Sequence, residues 1–445
     1  HVPGLGRALG HGVRLITPYR VLAAALAPLV RWHLRRRARR GKEDPARLPE
    51  RLGIASQPRP PGRLCWLHAA SVGEALSILP LIARIKASRP ALGLLVTTGT
   101  VTSATLLAAR LPPGVIHHYA PVDLPQAARE FLDHWRPDLA LWTESELWPV
   151  LVTALADRAV PMVLLNGRMS ERSFRRWRRA GGIGRALLKP FHLCLAQTPA
   201  DAARFKALGA DPVEYLGNLK FAAPPLPVDE AILRQAEAML GPRPRWLAAS
   251  THPGEEEIIL EAHRRLKARH PDLLTLIVPR HPERGERIAR TLRAAGLSVA
   301  RRGAGEAIAP ATEIYIADTI GELGLWYRLA GVAFVGGSLV AHGGQNPLEP
   351  ARLGLAVLHG PGMANFAEIA VGLAAAGGSR TVADAASLGD ALEALLFGSP
   401  APRVAMAAAA AAYALSEAAV LDRVLARLAP FLDPAADPGP PPIGH

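Results

Sequence analysis

Four ionisable residues follow closely on apolar runs, and a fifth stands at a proline-rich step: Glu74, Glu144, Arg280, Glu349 and Lys220. Leu64 to Leu67 passes through Ala69, Ala70, Ser71 and Gly73 to Glu74. Those small residues let backbone come close to a ligand, and one carboxylate sits at the mouth of the first βα loop, where open α/β sheets bind ligands. A helix starting near Glu74 or Ala75 accounts for the same acid by the macrodipole alone. Leu139–Trp142 leads to Thr143–Glu144–Ser145–Glu146. In an extended chain the two acids point to opposite sides, so only one faces a ligand. A carboxylate beside Trp142 and Trp148 would be partly desolvated, which suits proton handling or orienting a hydroxyl; capping is the plain alternative. Arg280, just past Leu273–Val278, is placed for bidentate bonding to phosphate or carboxylate. Lys220 can reach a ligand from a hinge, although most lysines are simply exposed.

These residues need a scaffold, and the chain repeats strand, loop and helix throughout. Leu64–Leu67, Leu92–Thr97, Val115–Ala120, Leu139–Trp142, Met162–Leu165 and Leu193–Ala196 are near-continuous apolar strands. Such strands belong to a parallel sheet covered on both faces, and their polar followers collect on one rim. Gly217–Asn218–Leu219–Lys220–Phe221 and the Pro-rich stretch after it mark the best boundary. The rhythm restarts with Arg245–Ala249, Leu273–Val278, Ile314–Ala317 and Val332–Val335. After the last come Gly336–Gly337–Ser338 and Gly343–Gly344–Gln345–Asn346–Pro347–Leu348–Glu349. Asn346 reads as N-cap, Pro347 as the first helical residue and Glu349 as a capping-box acid, with glycines leaving the N–H groups open to an anion. Glu349 could cap the helix, accept ribose hydroxyls, or do both.

With 445 residues the chain exceeds one hydrophobic core, and 49% hydrophobic content fits a globular α/β protein of at least two domains. There are 52 Lys and Arg against 38 Asp and Glu, a formal charge of +14, which suits nucleic acid, anionic membrane or a phosphorylated substrate. The two cysteines, Cys65 and Cys194, lie in apolar runs and read as buried thiols rather than a disulfide framework. The sequence has no CxxC, HExxH or Walker-type glycine loop, so nothing in it supports metal or P-loop chemistry. Leu15 to Trp32 is apolar but interrupted by Arg20 and two prolines, and a basic block from Arg31 to Lys42 follows. Its clean run, Val21 to Val30, is too short to span a bilayer unaided; with the basic block it suits a segment in or on the membrane, basic side cytoplasmic. From Ser170 to Arg179, five arginines surround Phe174 and Trp177, a face for phosphates or headgroups, or a solvated basic helix.

Six ordered stretches, His68–Glu74, Glu144–Pro149, Gly217–Lys220, Pro279–Arg284, Val335–Ser338 and Asn346–Pro350, resemble the 3-deoxy-D-manno-octulosonic acid (Kdo) transferases of lipopolysaccharide assembly. Ala341–His342 departs from that pattern, with little expected effect on function. The resemblance implies a GT-B fold, two Rossmann-like domains facing across a cleft, with a membrane-associated helix and basic block over 1–48. It puts the acceptor domain at 49–220 and the CMP-Kdo domain at 221–430, while the Ala- and Pro-rich tail at 431–445 matches nothing in the family and reads as disordered. It implies transfer of Kdo from CMP-Kdo to the 6′-hydroxyl of a tetra-acylated lipid A precursor, with inversion and without metal or cofactor. Glu74 would be the general base, with Glu144 and Lys220 stabilising the transition state. The donor would meet Pro279, Arg280, Ile320, Gly321, Glu322, Ser338, Asn346, Pro347, Leu348 and Glu349, and the acceptor Ser71, Gly73, Thr98, Thr100 and Arg168. Expected partners are CMP-Kdo, the lipid A precursor and anionic inner-membrane lipid, on the cytoplasmic face, and not nucleic acid. A non-catalytic lipid- or glycan-binding protein on this scaffold and a UDP-sugar transferase are the alternatives. A base works best with a pKa near 7, whereas a helix N-terminus lowers it. Glu74 is therefore expected off the helix axis or against apolar walls, with a pKa not depressed.

Overall fold

The computed structural model describes residues 9–144, 147–180, 182–222 and 224–434, with side chains from residue 16 onward. Ser145, Glu146 and the tail from 435 lie outside the described residues, so neither the choice between Glu144 and Glu146 nor the expected disorder of 435–445 is addressed by it. The chain divides into two units: one runs to the Pro-rich step and takes the chain back from Ala418, and the other is Pro224–Glu417.

The first unit holds strands β1 (Leu64–His68), β2 (Gly93–Thr98), β3 (Val115–Tyr119), β4 (Leu139–Thr143), β5 (Met162–Gly167), β6 (Phe191–Ala196) and β7 (Val213–Tyr215). Their order is β3-β2-β1-β4-β5-β6-β7, and every pairing is parallel. Strand order reverses between β1 and β4, where His68 pairs with Trp142. The loops after β1 and β4 therefore leave the sheet side by side, at the switch point where doubly wound sheets bind ligands. Every residue of β1 and β4 is buried, as a sheet covered on both faces requires.

The helix after β1 runs Val72–Ser88, two residues earlier than expected, because Ser71 caps it. Its inward stripe is Glu74, Ala75, Ile78, Leu81, Ile82 and Ile85, so the acid occupies the first position of a helical apolar face. Cys65 and Cys194 are free and buried, and burial pushes both thiols up to about 12.

The domain boundary expected from sequence needs correction at its far end. Helix Val420–Leu432 belongs to the first unit, where Val420, Leu421, Val424, Leu428 and Leu432 join the core that holds Ile78, Ile82 and Leu219. Arg423 donates to the Leu216 carbonyl at 2.9 Å, and Arg84 pairs with Asp422 at 2.8 Å. A 3.6-residue apolar stripe says that a helix is buried but not which core receives it.

The second unit holds β8 (Arg245–Thr251), β9 (Leu274–Pro279), β10 (Val299–Arg301), β11 (Ile314–Ile316), β12 (Val332–Val335), β13 (Ala356–His359) and β14 (Ser379–Thr381). Their order is β10-β11-β9-β8-β12-β13-β14, again all parallel, with the reversal between β8 and β12. The α/β expectation, two doubly wound parallel sheets, is what the chain forms.

At the N-terminus lie two short helices, Leu9–Ala25 and Ala27–Arg39. Ile16, Ala23 and Leu34 are buried, while Val21, Leu22, Leu26, Leu29 and Trp32 are exposed beside exposed Arg31, Arg35, Arg36, Arg39 and Arg40. Among the described residues only Pro400–Leu432 is long and apolar enough to cross a membrane, by length and composition. That stretch consists of two helices, Pro400–Ala418 and Val420–Leu432, and the second is committed to a core.

Candidate active site

On the first unit the chemistry gathers around Glu74. Its Oε2 accepts from the Ala70 N–H at 2.8 Å and lies 2.9 Å from Thr143 Oγ1; its Oε1 accepts from Ser71 Oγ at 2.8 Å. Ser71 Oγ in turn accepts from the Glu74 N–H, a reciprocal cap. The carboxyl is almost fully buried, and that desolvation holds it above the ordinary glutamate range, with the nearby Glu144 charge acting in the same direction. The hydrogen bonds from Ser71 and Ala70 pull the other way and lose. Glu74 is buried on the same helix face as Ala75, Ile78, Leu81, Ile82 and Ile85.

Glu144, the residue after β4, takes a positive φ of +56, while its N–H donates to the Leu165 carbonyl at 2.9 Å. Non-glycine residues at positive φ are held there by their surroundings, and such positions cluster at functional sites. Lys220 Nζ donates to Glu144 Oε1 at 2.7 Å, both side chains being partly exposed. The lysine stands in the single turn Leu219–Phe221, whose cap is Asn218, accepting from the Lys220 N–H at 3.0 Å. Asn166 Oδ1 receives the Leu219 N–H at 3.0 Å, and Gln197 bridges the Asn166 carbonyl and the Asn218 side chain. Asn166, Gln197 and Asn218 thus fix where Lys220 starts. In the sequence the three stand at separate strand ends, with no local sign that they form one support. Asn166 takes a positive φ, +52, which asparagine tolerates better than most residues.

Other first-unit expectations separate. Gly73 and Arg168 are exposed on the rim, and a Cβ on Gly73 would meet open space. Thr98 is buried and bonded to His117 Nε2 at 2.9 Å, and Thr100 caps the helix Val101–Ala108. Their hydroxyls are engaged within the fold rather than turned to an acceptor. His68, between Trp142 and Trp148 at 4.7 and 4.9 Å, is pushed down to about 3 by burial and stays neutral.

On the second unit the glycine loop behaves differently from expectation. Glu255, first residue of the helix Glu255–Lys267, is fully buried and accepts four backbone N–H groups. His252 and Gly337 donate to Oε2 at 2.9 and 2.7 Å, and Ser338 and Leu339 to Oε1 at 3.0 Å each. A side chain on Gly336 would meet the Ser250 carbonyl at 2.4 Å, so glycine is required for this approach. Ser338 is therefore not placed for a donor phosphate: its N–H goes to Glu255, and its hydroxyl is held between the Val335 carbonyl and the Gly360 N–H. The amides of Gly337, Ser338 and Leu339 are taken by Glu255, apart from the helix start at Asn346 where the anion was expected.

What faces outward is Arg280, exposed past β9 after buried Pro279, with exposed His281 and His342 beside a buried His252. His252 stacks on His342 at 3.8 Å, lies edge-on to His281 at 6.1 Å and meets Gln345 Nε2 at 3.0 Å. Burial, then His342, His281, Arg284 and Arg280, push His252 down to about 4. His342, expected from sequence to matter little, is half of that stack. Ile320 and Gly321 project from the loop after β11, Ile320 being 89% exposed. Glu322 is tied to Arg302 at 2.7 and 3.1 Å, and that pairing holds its carboxyl down. The helix after the second glycine pair is only Leu348–Arg352, with Pro347 rather than Asn346 at its cap; Asn346 Oδ1 accepts from the Leu348 N–H at 3.1 Å. Burial pushes Glu349 up, against Arg352, Arg280 and Asn346. No cluster able to hold a metal ion occurs among the described residues.

Residues 46–223 match the family model described as 3-deoxy-D-manno-octulosonic-acid transferase (kdotransferase). A 3-deoxy-D-manno-octulosonic acid transferase of Bordetella pertussis is 37% identical over 95% of this chain and its own full length. The chain belongs to this transferase family. It is thus a glycosyltransferase by kinship, and the probable 3-deoxy-D-manno-octulosonic acid transferase, mitochondrial, of Arabidopsis thaliana shares 39% identity over 80% of this chain and 82% of that one. A UDP-GlcNAc 2-epimerase from Neisseria meningitidis, solved bound to UDP-GlcNAc, superposes with a TM-score of 0.56 at 13% identity, over 82% of this transferase and 99% of that chain. Identity that low speaks for the fold alone.

Proposed function

We propose that this transferase moves Kdo from CMP-Kdo to the 6′-hydroxyl of a tetra-acylated lipid A precursor, releasing CMP with inversion and without a metal. Glu74 takes the proton of the attacking hydroxyl. The observation that carries this reading is a buried carboxyl, raised by desolvation, at the switch point of the first sheet and beside the Glu144–Lys220 pair. An inverting displacement needs one base on the attacking oxygen, and a carboxyl raised toward neutrality is a better one. Lys220 offsets the charge that Glu144 brings to the same rim, and the ammonium N–H groups not used by Glu144 can face charge developing on the donor. The leaving group is a nucleoside monophosphate, stable as an anion, which Arg280, Asn346 to Glu349 and the loop at Ile320 to Glu322 receive.

The exposed apolar row of the N-terminal helices, backed by arginines, supports attachment to the cytoplasmic face of the inner membrane. Anionic lipid and two anionic substrates are the partners that a charge of +14 suits, in preference to nucleic acid.

The test is transfer of labelled Kdo from CMP-Kdo to the tetra-acylated precursor in EDTA, comparing the full chain with Glu74→Ala. Transfer by the wild type and its loss in the variant is the expected result. No transfer by the wild type refutes the activity, full transfer by Glu74→Ala refutes the base, and dependence on added metal refutes the metal-free step. Competition by UDP in place of CMP would indicate a different donor.

A further inference from the structure

Thr143 Oγ1 lies 2.9 Å from Glu74 Oε2 and 2.8 Å from the His68 carbonyl oxygen. Both neighbours accept hydrogen bonds when Glu74 is ionised, and a threonine hydroxyl has one proton. Among the described residues the count around the site is then short. Ala70 N–H, Ser71 O–H and Thr143 O–H supply three protons to four contacts: two at Oε2, one at Oε1 and one at the His68 carbonyl. Ser71 cannot make up the difference, because its oxygen already accepts from the Glu74 N–H while its proton goes to Oε1. A proton on Glu74 Oε2 closes the count: the acid donates to Thr143, and Thr143 donates to His68.

We propose that Thr143 is a proton acceptor toward Glu74, its own proton held by the His68 carbonyl, so that the fold favours the acid form of Glu74 and strengthens it as a base. Thr143 is a positioning residue here, acting through Glu74, and its role rests on the reading of Glu74 as the base. A threonine that donated to the carboxylate would do the reverse and weaken the base. The other ionisable groups near the pair are Glu144, whose charge also favours the acid form, and Lys220, which is occupied by Glu144. His68, on β1, remains neutral.

The sign of a pH shift separates the alternatives. The acid limb of kcat/KM for Kdo transfer reports the free enzyme's base. In Thr143→Val that limb moves to lower pH by about one unit, the worth of one hydrogen bond, and Thr143→Ser restores it. With Glu74→Ala inactive, an upward shift or none overturns the role of Thr143 and leaves the base standing. Full activity of Glu74→Ala overturns both. Should Thr143→Val not fold, pH-difference infrared spectra of the wild type, with Glu74→Gln to assign the carboxyl band, give the answer. A band of an acid that donates a hydrogen bond supports the arrangement, and a band of a free acid overturns it.

Discussion

Replacing Glu255 by glutamine keeps its shape and tests whether one buried carboxylate holds the glycine loop of the second unit. Each carboxylate oxygen receives two backbone N–H groups at 2.7–3.0 Å. In the amide, one end becomes an NH2 group facing two N–H donors, so at least two charge-assisted bonds are lost. Such bonds contribute about 1.5–3 kcal/mol each, so the loop is loosened by roughly 3–6 kcal/mol. At about 1.4 kcal/mol per tenfold change, amides 337–339 should lose roughly two to four orders of magnitude of protection. Hydrogen exchange followed by mass spectrometry, on peptides covering β12 and its loop, reads this directly without assuming that a two-unit chain unfolds in one step. Donor KM should rise with it, since Gln345 and the histidine stack hang from the same loop through the Gly344 and Gln345 N–H bonds to Gly337 and Gly336. Glu257→Gln, an exposed neighbour in the same helical turn, is the control and should change neither. Unaltered protection in Glu255→Gln would mean that the loop holds itself and that the acid is incidental.

Lys220→Met should lower kcat, while a double-mutant cycle with Glu144→Gln, read by denaturation, should give a stability coupling of only about 1 kcal/mol, as for other partly exposed pairs. A larger coupling with kcat unchanged would make the pair structural. Leu428→Ala removes a fully buried side chain from the returning helix and should cost about 2–5 kcal/mol in urea unfolding. It should also raise exchange at 217–222, because Val420 and Leu219 share that core; a cost without local exchange would detach the helix from the Lys220 turn. His117, His252 and His263 are pushed down to about 4 and His68 to about 3, chiefly by burial. Their folded values lie below the unfolded one, so unfolding takes up protons: the stabilisation is complete above about pH 6.5 and fades as pH falls through 4. Each contributes up to about 1.4 kcal/mol per pH unit within that window. A denaturation midpoint that is flat between pH 6.5 and 4.5 would refute it.

The central strands are the most legible in sequence, because five or six consecutive apolar residues between turn signals can form little else. Strands β7, β10, β13 and β14, three or four residues long, are too short to establish a period of their own, whereas the equally short β11 and β12 are read from the polar and glycine loops that follow them. The site shows the same asymmetry. Residues whose chemistry depends on where a strand ends, such as Glu74, Glu144 and Arg280, stand out at once. Residues whose role depends on what folds over them do not. The acidic triplet Glu255–Glu256–Glu257 reads as a helix start favoured by the dipole, and nothing local says that Glu255 turns inward to the loop after β12 while Glu257 stays in solvent. Ser338 and Thr98 mislead for the same reason, a hydroxyl near a strand end being equally apt for a ligand or for a neighbouring loop.

A helix cap and the proposed general base make opposite demands on Glu74, and the local fold reconciles them. Because Ser71 rather than Glu74 is the cap, the acid falls on the third helical position, where its side chain can turn back to the Ala70 N–H. The same position is in phase with Ile78, Leu81, Ile82 and Ile85, so the packing that builds the helix also strips water from the carboxyl. Capping alone would lower its pKa, and burial alone would leave it unoriented. Together they hold it in place while desolvation prevails. The two effects can be separated by Ser71→Ala, which removes one bond that lowers the pKa and leaves the apolar face intact. Its acid limb should move to higher pH, opposite in sign to that of Thr143→Val. A shift in the same direction for both variants would mean that the two hydroxyls do not play different parts.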